Sequence, residues 1–131
     1  MMTATEIWMS KDLIKRGISP DTADLVWEWD GIDAVWLKYD CNKNDGRKRI
    51  PAWSMGALLA LMPAEITINA QEYTHSLRKW HDPENDVDRY EFCYVDYYNY
   101  SPNGSVHDEP DMMLAAYHLV CWLQENNLLN Q

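Results

Sequence analysis

Residues 65–97 read EITINAQEYTHSLRKWHDPENDVDRYEFCYVDY, and this stretch decides the fold class. Its first half predicts two strands, Glu65–Asn69 and Glu72–Trp80, which a tight turn joins. The polar run His81–Asp88 predicts a second turn, and the aromatic and β-branched residues of Tyr90–Tyr97 predict a third strand. Consecutive strands with short connections indicate an antiparallel meander of three to four strands.

After a loop predicted over Tyr98–His107, a long helix closes the chain and ends near Asn126. Pro110 can occupy its first position, since proline has no backbone donor to leave unpaired there. Asp108, Glu109 and Asp111 place negative charge at the positive end of the helix dipole. Apolar residues cover more than half of its circumference, so we expect this helix to pack on the sheet.

Three shorter helices are predicted upstream from their start signals. Thr3 and Glu6 have capping-box spacing, which predicts a helix over Ala4–Arg16. Ser19 followed by Pro20 predicts a short second helix over Pro20–Glu28. Ser54 can cap a buried central helix that ends before Pro63.

Between these helices, Asp33–Tyr39 alternates as a strand does, and Cys41–Arg49 has the composition of an exposed loop. Helices grouped around a separate antiparallel sheet make an α+β fold. We predict an antiparallel meander of three to four strands packed by N-terminal helices, a central short helix and a long C-terminal helix. The prediction places residues 1–131 in a single domain.

The composition favours a folded protein in a reducing compartment. Of the 131 residues, 47% are hydrophobic, which is enough to build a core. No apolar run approaches the ~18 residues of a membrane helix, and the amino terminus does not have the pattern of a secretory signal. Cys41, Cys93 and Cys121 are widely spaced and suggest neither a disulfide framework nor a zinc site. We therefore predict a cytoplasmic protein with no membrane association.

Three segments carry a resemblance to a known family. They are residues 17–24 (GISPDTAD), residues 50–63 (IPAWSMGALLALMP) and residues 112–126 (MMLAAYHLVCWLQEN). In them the chain resembles an uncharacterised family of short proteins found in phages and prophages of intestinal anaerobes. The resemblance implies a phage or prophage setting and carries over no catalytic residue.

No motif in the sequence indicates catalysis. The four histidines have no ligand partners at metal-binding spacing, and the acidic turn Asp82–Asp88 does not have the glycine and closing glutamate of a calcium loop. Nucleophile elbows, zinc-protease motifs and phosphate-binding glycine loops do not occur. We therefore predict no metal, no cofactor and no catalytic residue, and an unrecognised enzyme is kept only as an alternative.

The weak candidates for partner contact are a basic loop and two tyrosines. They are Lys43, Arg47, Lys48, Arg49, Tyr98 and Tyr100. The cations could contact phosphates while tyrosine rings stack on bases. The alternative is an ordinary charged loop, and the net charge of −10 disfavours nonspecific attraction to nucleic acid.

Three hypotheses of function follow. The leading one is a small noncatalytic binding or accessory protein, phage-derived, that acts through contacts with an unknown protein partner. The second is a nucleic-acid-binding module that uses residues 43–49. The third is the unrecognised enzyme. A further alternative, an acidic surface that imitates nucleic acid, competes with simple solubility as the reason for the charge.

Overall fold

The computed structural model describes residues 3–29, 31, 35–39 and 48–130. Their three helices are α1 (Ile7–Lys15), α2 (Met55–Leu61) and α3 (Met112–Glu125). Their seven strands are β1 (Leu25–Trp29), β2 (Val35–Tyr39), β3 (Arg49–Ala52), β4 (Glu65–Ile68), β5 (Gln71–Asp82), β6 (Val87–Val95) and β7 (His107–Glu109). They form two antiparallel sheets, ordered β2-β1-β3 and β4-β5-β6-β7, so the predicted α+β class is confirmed.

The four-stranded sheet is the predicted meander, in which each strand pairs with the next along the chain. Asn69 and Ala70 form the first turn, both with positive φ (51° and 65°), as two-residue hairpin turns require. The β5 and β6 strands extend further toward each other than predicted, and only residues 83–86 separate them. The fourth strand, β7, comes from a segment predicted as loop end and helix start, because its backbone pairs with Tyr90–Phe92 of β6.

α3 begins two residues later than the position of Pro110 indicated. Asp111 is the N-cap, and its carboxylate accepts hydrogen bonds from the backbone N–H groups of Met113 (2.8 Å) and Leu114 (3.2 Å). The helix packs on β6 and β7 and against α2. α2 has the predicted cap, since the Ser54 hydroxyl accepts the N–H of Ala57 at 3.2 Å.

The predicted start of the first helix is wrong. α1 begins at Ile7, its N-cap is Glu6, and no side chain caps it. The preceding residues have stronger partners elsewhere, because Ala4 pairs with Ser54 in a β-bridge and Thr5 hydrogen-bonds to Trp53. Tertiary pairing therefore replaces the capping box that the spacing of Thr3 and Glu6 predicted.

The second predicted helix, Pro20–Glu28, is also wrong. The start signal at Ser19 produces only a single 3-10 turn, Pro20–Thr22, after which the chain becomes β1. β1 pairs with β2 on one side and β3 on the other, so its backbone groups are bonded across strands. Pairing on both edges outweighs the local helix signal.

The three-stranded sheet was not foreseen as a unit. The strand predicted over Asp33–Tyr39 is described from Val35 onward, and residues 41–47 of the predicted loop lie outside the described residues. Arg49, the last residue of that predicted loop, opens β3 instead. Pro51 is tolerated there because β3 is an edge strand of its sheet.

One core joins the helices to the four-stranded sheet. Its largest fully buried side chains are Trp53, Tyr94 and Phe92. α1 packs on β3 of the other sheet and contributes Met9 and Leu13 to the same core. Among the described residues, no helix is long and apolar enough to cross a membrane.

The cap of α3 gives a first testable prediction. Asp111→Ala should lower the free energy of unfolding by about 1 kcal/mol, since two helix N–H groups lose their acceptor. Asp111→Asn should retain most of the stability, because asparagine caps as well and only its charge is missing. Urea denaturation of the three proteins measures both differences. Equal midpoints for Asp111→Ala and wild type would show that the cap does not stabilise α3.

Candidate functional site

One face of the three-stranded sheet carries two tryptophans, one of them exposed. Alternation along β1 places Trp27 and Trp29 on one side of the sheet and Val26 and Glu28, both buried, on the other. Ile50 of β3 lies directly opposite Trp27 in the antiparallel register and shares its face. Trp29 is 43% exposed, so this face is not covered as a core face is.

α1 borders this face and turns it into a groove. Ile7 and Lys11, one helical turn apart, lie on the same side of α1. They line a cavity of about 310 Å³ together with Trp27, Trp29, Lys48 and Ile50. A neighbouring depression of about 500 Å³ is lined by Glu6, Ile7, Trp8, Lys11 and Trp27. We call these two depressions, which share Ile7, Lys11 and Trp27, the tryptophan groove.

The walls of the tryptophan groove are held in place by hydrogen bonds. The indole N–H of Trp27 donates to the carbonyl oxygen of Thr5 at 2.8 Å, and that of Trp8 donates to Glu6 Oε2 at 2.6 Å. Both polar edges are thus satisfied within the chain. What the groove offers a ligand is therefore apolar ring surface, which contributes strongly to binding when it is buried.

Two ammonium groups stand on the rim of the tryptophan groove. Lys11 and Lys48 are exposed, and neither lies within ion-pair distance of a carboxylate among the described residues. Attraction to a carboxylate of a ligand would therefore not have to compete with an ion pair to any carboxylate that the structure describes. The groove combines an apolar floor with a positive rim.

The structure places the two described residues of the predicted basic loop on different faces of the sheet. Lys43 and Arg47 lie outside the described residues, whereas Lys48 lines the tryptophan groove. Arg49 lies on the opposite face of the sheet, where its Nε and its terminal nitrogen each lie 3.0 Å from Glu28 Oε1. The side chain of Glu28 is only 5% exposed, so Arg49 neutralises a buried carboxylate.

The two predicted tyrosines belong to the other sheet. Tyr98 and Tyr100 lie in the turn after β6, where the Asp96 carboxylate accepts both of their backbone N–H groups (2.8 and 2.9 Å). Their side chains are 74% and 71% exposed. No described hydrogen bond or ring contact joins them to Lys48 or Arg49, so a combined phosphate and base site is not assembled by the described residues.

Sequence reasoning missed the tryptophan groove because it assigned residues 20–28 to a helix. The signal that could have found it is the alternation of Leu25-Val-Trp-Glu-Trp29, which has the period of a strand. The remaining groove residues come from α1 and β3. Only the pairing of the strands brings them together.

A second cavity, of about 280 Å³, lies on the other side of α1. It is lined by Trp8, Arg16, His107, Tyr117, His118, Cys121, Trp122 and Glu125, and is called the aromatic pocket below. Below it, the Tyr117 hydroxyl donates to the carboxylate of Asp12. Burial raises the pKa of Cys121 to about 11, so this thiol is protonated and weakly nucleophilic at neutral pH.

His75 and Cys93 do not line this pocket. His75 of β5 packs against Phe92 and Tyr94, and Cys93 lies on the opposite face of β6. Among the described residues, no group of three His, Cys, Asp or Glu side chains has a metal-binding arrangement. No protein-family model, no curated protein and no solved structure matches this chain.

The Arg49 and Glu28 pair gives a second prediction, which tests whether Arg49 stabilises the fold rather than binding a ligand. Arg49→Ala should lower the free energy of unfolding by about 2–3 kcal/mol, because a buried carboxylate loses a charged hydrogen-bond donor. Lys48→Ala should change it by less than about 0.5 kcal/mol, since Lys48 is exposed. Thermal and urea unfolding measure both. Similar stabilities of the two variants would contradict the assignment.

Half-buried His75 gives a third prediction, on the pH dependence of stability. Burial lowers the pKa of His75 below its ordinary value of 6.5, so the unfolded chain takes up a proton more readily than the folded one. The stability that His75 contributes is therefore present above pH 6.5 and is lost as the pH falls below it. His75→Phe should reduce the loss of unfolding free energy between pH 7.5 and pH 5.5, measured by urea denaturation.

The matched control is His81→Gln on the exposed end of β5. Hydrogen bonding to Asp88 raises the pKa of His81, so its contribution has the opposite sign and is largest at low pH. His81→Gln should therefore increase the acid-induced loss. Identical pH dependence in wild type and His75→Phe would refute the role of His75.

Proposed function

We propose that this chain is a noncatalytic binding module that holds an acidic peptide segment of a partner protein in the tryptophan groove. The single observation that carries the proposal is the groove itself, with three indole rings on its walls and, on its rim, two ammonium groups that have no ion-pair partner among the described residues. The expected ligand has an aliphatic or aromatic anchor residue next to aspartate or glutamate.

The apolar part of the groove supports a peptide anchor. Trp27 and Trp29 share one sheet face with Ile50, and Ile7 faces them from α1. Tryptophan in such positions is enriched among residues that dominate binding energy. An anchor side chain would cover ring surface that is now exposed at Trp29, and the hydrophobic effect favours this burial.

The positive charge of the rim favours a ligand with negative charge. Lys11 and Lys48 stand on the two sides of the cavity, one from α1 and one from the residue before β3. A carboxylate between them would be attracted by both, and a basic peptide would be repelled by both. Charge complementarity thus favours an acidic segment.

A nucleic-acid strand fits this charge distribution less well. Indole rings and lysines do form stacking platforms for single strands. However, the chain carries a net charge of −10. The negative charges of the protein would repel a polyphosphate that extends beyond the groove. A short acidic peptide carries fewer charges and buries more apolar surface, so we assign the groove to a peptide.

We further propose a cytoplasmic location and a phage or prophage origin. The buried, free thiols of Cys93 and Cys121 support a reducing compartment. The origin is supported by the sequence resemblance of residues 17–24, 50–63 and 112–126, and the neighbouring genes test it.

The fourth prediction tests the groove with a random peptide library selected on the immobilised protein. Selected peptides should combine an aromatic or aliphatic residue with Asp or Glu. Trp29→Ala should weaken their binding by about 30-fold, the effect of removing a tryptophan that anchors an interface. The double variant Lys11→Glu, Lys48→Glu should weaken it by about tenfold at low salt and less at high salt. Fluorescence polarisation of labelled peptides measures both.

Trp80→Ala is the matched control for Trp29→Ala. Trp80 is exposed to a similar degree (39%) but lies on β5, away from the groove. Its removal should leave peptide binding unchanged. Selected peptides without acidic residues, or equal losses in the two tryptophan variants, would overturn the proposal. Tighter binding of single-stranded oligonucleotides that Trp29→Ala abolishes would assign the groove to nucleic acid instead.

A further inference from the structure

The aromatic pocket gathers five rings around a small cavity. They are the rings of Trp8, His107, Tyr117, His118 and Trp122. Trp8 meets Tyr117 edge to face with ring centroids 5.5 Å apart, and the two histidines stack with centroids 6.0 Å apart. Its volume of about 280 Å³ suits a small ligand. Ring faces are electron-rich, so they attract cations.

The charges around the aromatic pocket are unbalanced. Arg16 is the cation on its wall, and it is already bonded to Asp12 (2.7 Å) and Glu125 (2.8 Å). A third carboxylate, Glu109, lies 3.7 Å from His118. The three carboxylates exceed the one arginine by two charges. The surplus favours a cationic ligand and disfavours an anionic one.

His107 adds an unsatisfied acceptor. Its Nε2 is buried and has no hydrogen-bond partner among the described residues. The backbone of Gly104 interacts with the ring, and Nδ1 is the nitrogen left for this interaction. In the neutral ring Nε2 then carries a lone pair. Burial lowers the pKa of His107, which keeps the ring neutral at pH 7. A buried lone pair without a donor is costly, so a ligand N–H that reaches Nε2 through a small movement of the surrounding rings would stabilise it.

We propose that the aromatic pocket binds a small organic cation that carries N–H groups, of the ammonium or guanidinium class. The rings of Trp8 and Trp122 contact the cation, Glu125 supplies the opposite charge, and His107 Nε2 accepts an N–H from it. The site is separate from the tryptophan groove, although Trp8 contributes to both. The cation could be a free amine or the side chain of an arginine in another protein, since both present the same chemistry.

The fifth prediction uses agmatine, which carries a guanidinium and an ammonium group, and tetramethylammonium, which carries no N–H. Titration of the full chain with agmatine up to about 10 mM should shift the indole N–H signals of Trp8 and Trp122 in nitrogen-edited NMR spectra. Glu125→Gln should weaken agmatine binding by about five- to tenfold at low salt. His107→Phe should weaken agmatine binding but leave tetramethylammonium binding unchanged, because only agmatine needs the acceptor.

Glu84→Gln is the matched control, because it removes the same charge from the exposed turn between β5 and β6. It should not change agmatine binding. Equal weakening by Glu84→Gln and Glu125→Gln would reduce the effect to nonspecific attraction and overturn the proposal. Unshifted signals of Trp8 and Trp122 at the highest agmatine concentration would overturn it as well.

A capped Gly-Arg-Gly peptide distinguishes the two sources of the cation. Tighter binding of this peptide than of agmatine supports an arginine of a partner protein as the natural ligand. Tighter binding of agmatine supports a free amine. In both cases the same Glu125→Gln and His107→Phe variants should reduce the affinity. A peptide or amine whose binding neither variant changes counts against the site.

Discussion

The buried contact between Thr5 and Trp53 positions α1, β1 and the end of β3 relative to one another. Thr5 donates its backbone N–H to the carbonyl of Trp53 at 2.9 Å, and its hydroxyl accepts the N–H of Trp53 at 3.0 Å. Its own carbonyl takes the indole N–H of Trp27. Both Thr5 and Trp53 are 0% exposed, so these bonds form where water cannot replace them. The tryptophan groove exists because this contact fixes α1 beside the sheet.

Elements with short-range signals could be predicted from the sequence. The Ser54 cap, the two-residue turn at Asn69 and the apolar circumference of α3 each depend on residues within one or two turns of chain. The elements that sequence reasoning missed depend on distant partners. β1 is a strand because β2 and β3 hydrogen-bond to both of its edges, and the start signal at Ser19 could not reveal that. β7 likewise exists only through its pairing with β6.

The candidate sites were less predictable than the fold, for the same physical reason. The tryptophan groove combines residues 6–11, 27–29 and 48–50, and the aromatic pocket combines residues 8–16, 107 and 117–125. Each segment by itself looks like part of a core or a solvated face. Lys48 of the predicted basic loop lines the tryptophan groove. Arg49, the next residue, points to the other face of the sheet, as alternation along a strand requires.

Because Trp8 lines both cavities, a ligand in one would affect binding in the other. Its side chain lines both the tryptophan groove and the aromatic pocket. A ligand that moves this ring in one cavity would also change the shape of the other. Cooperativity of this kind is reciprocal, since each ligand must alter the affinity of the other by the same factor. A single indole at the start of a nine-residue helix would thus make each of the two proposed recognition events conditional on the other.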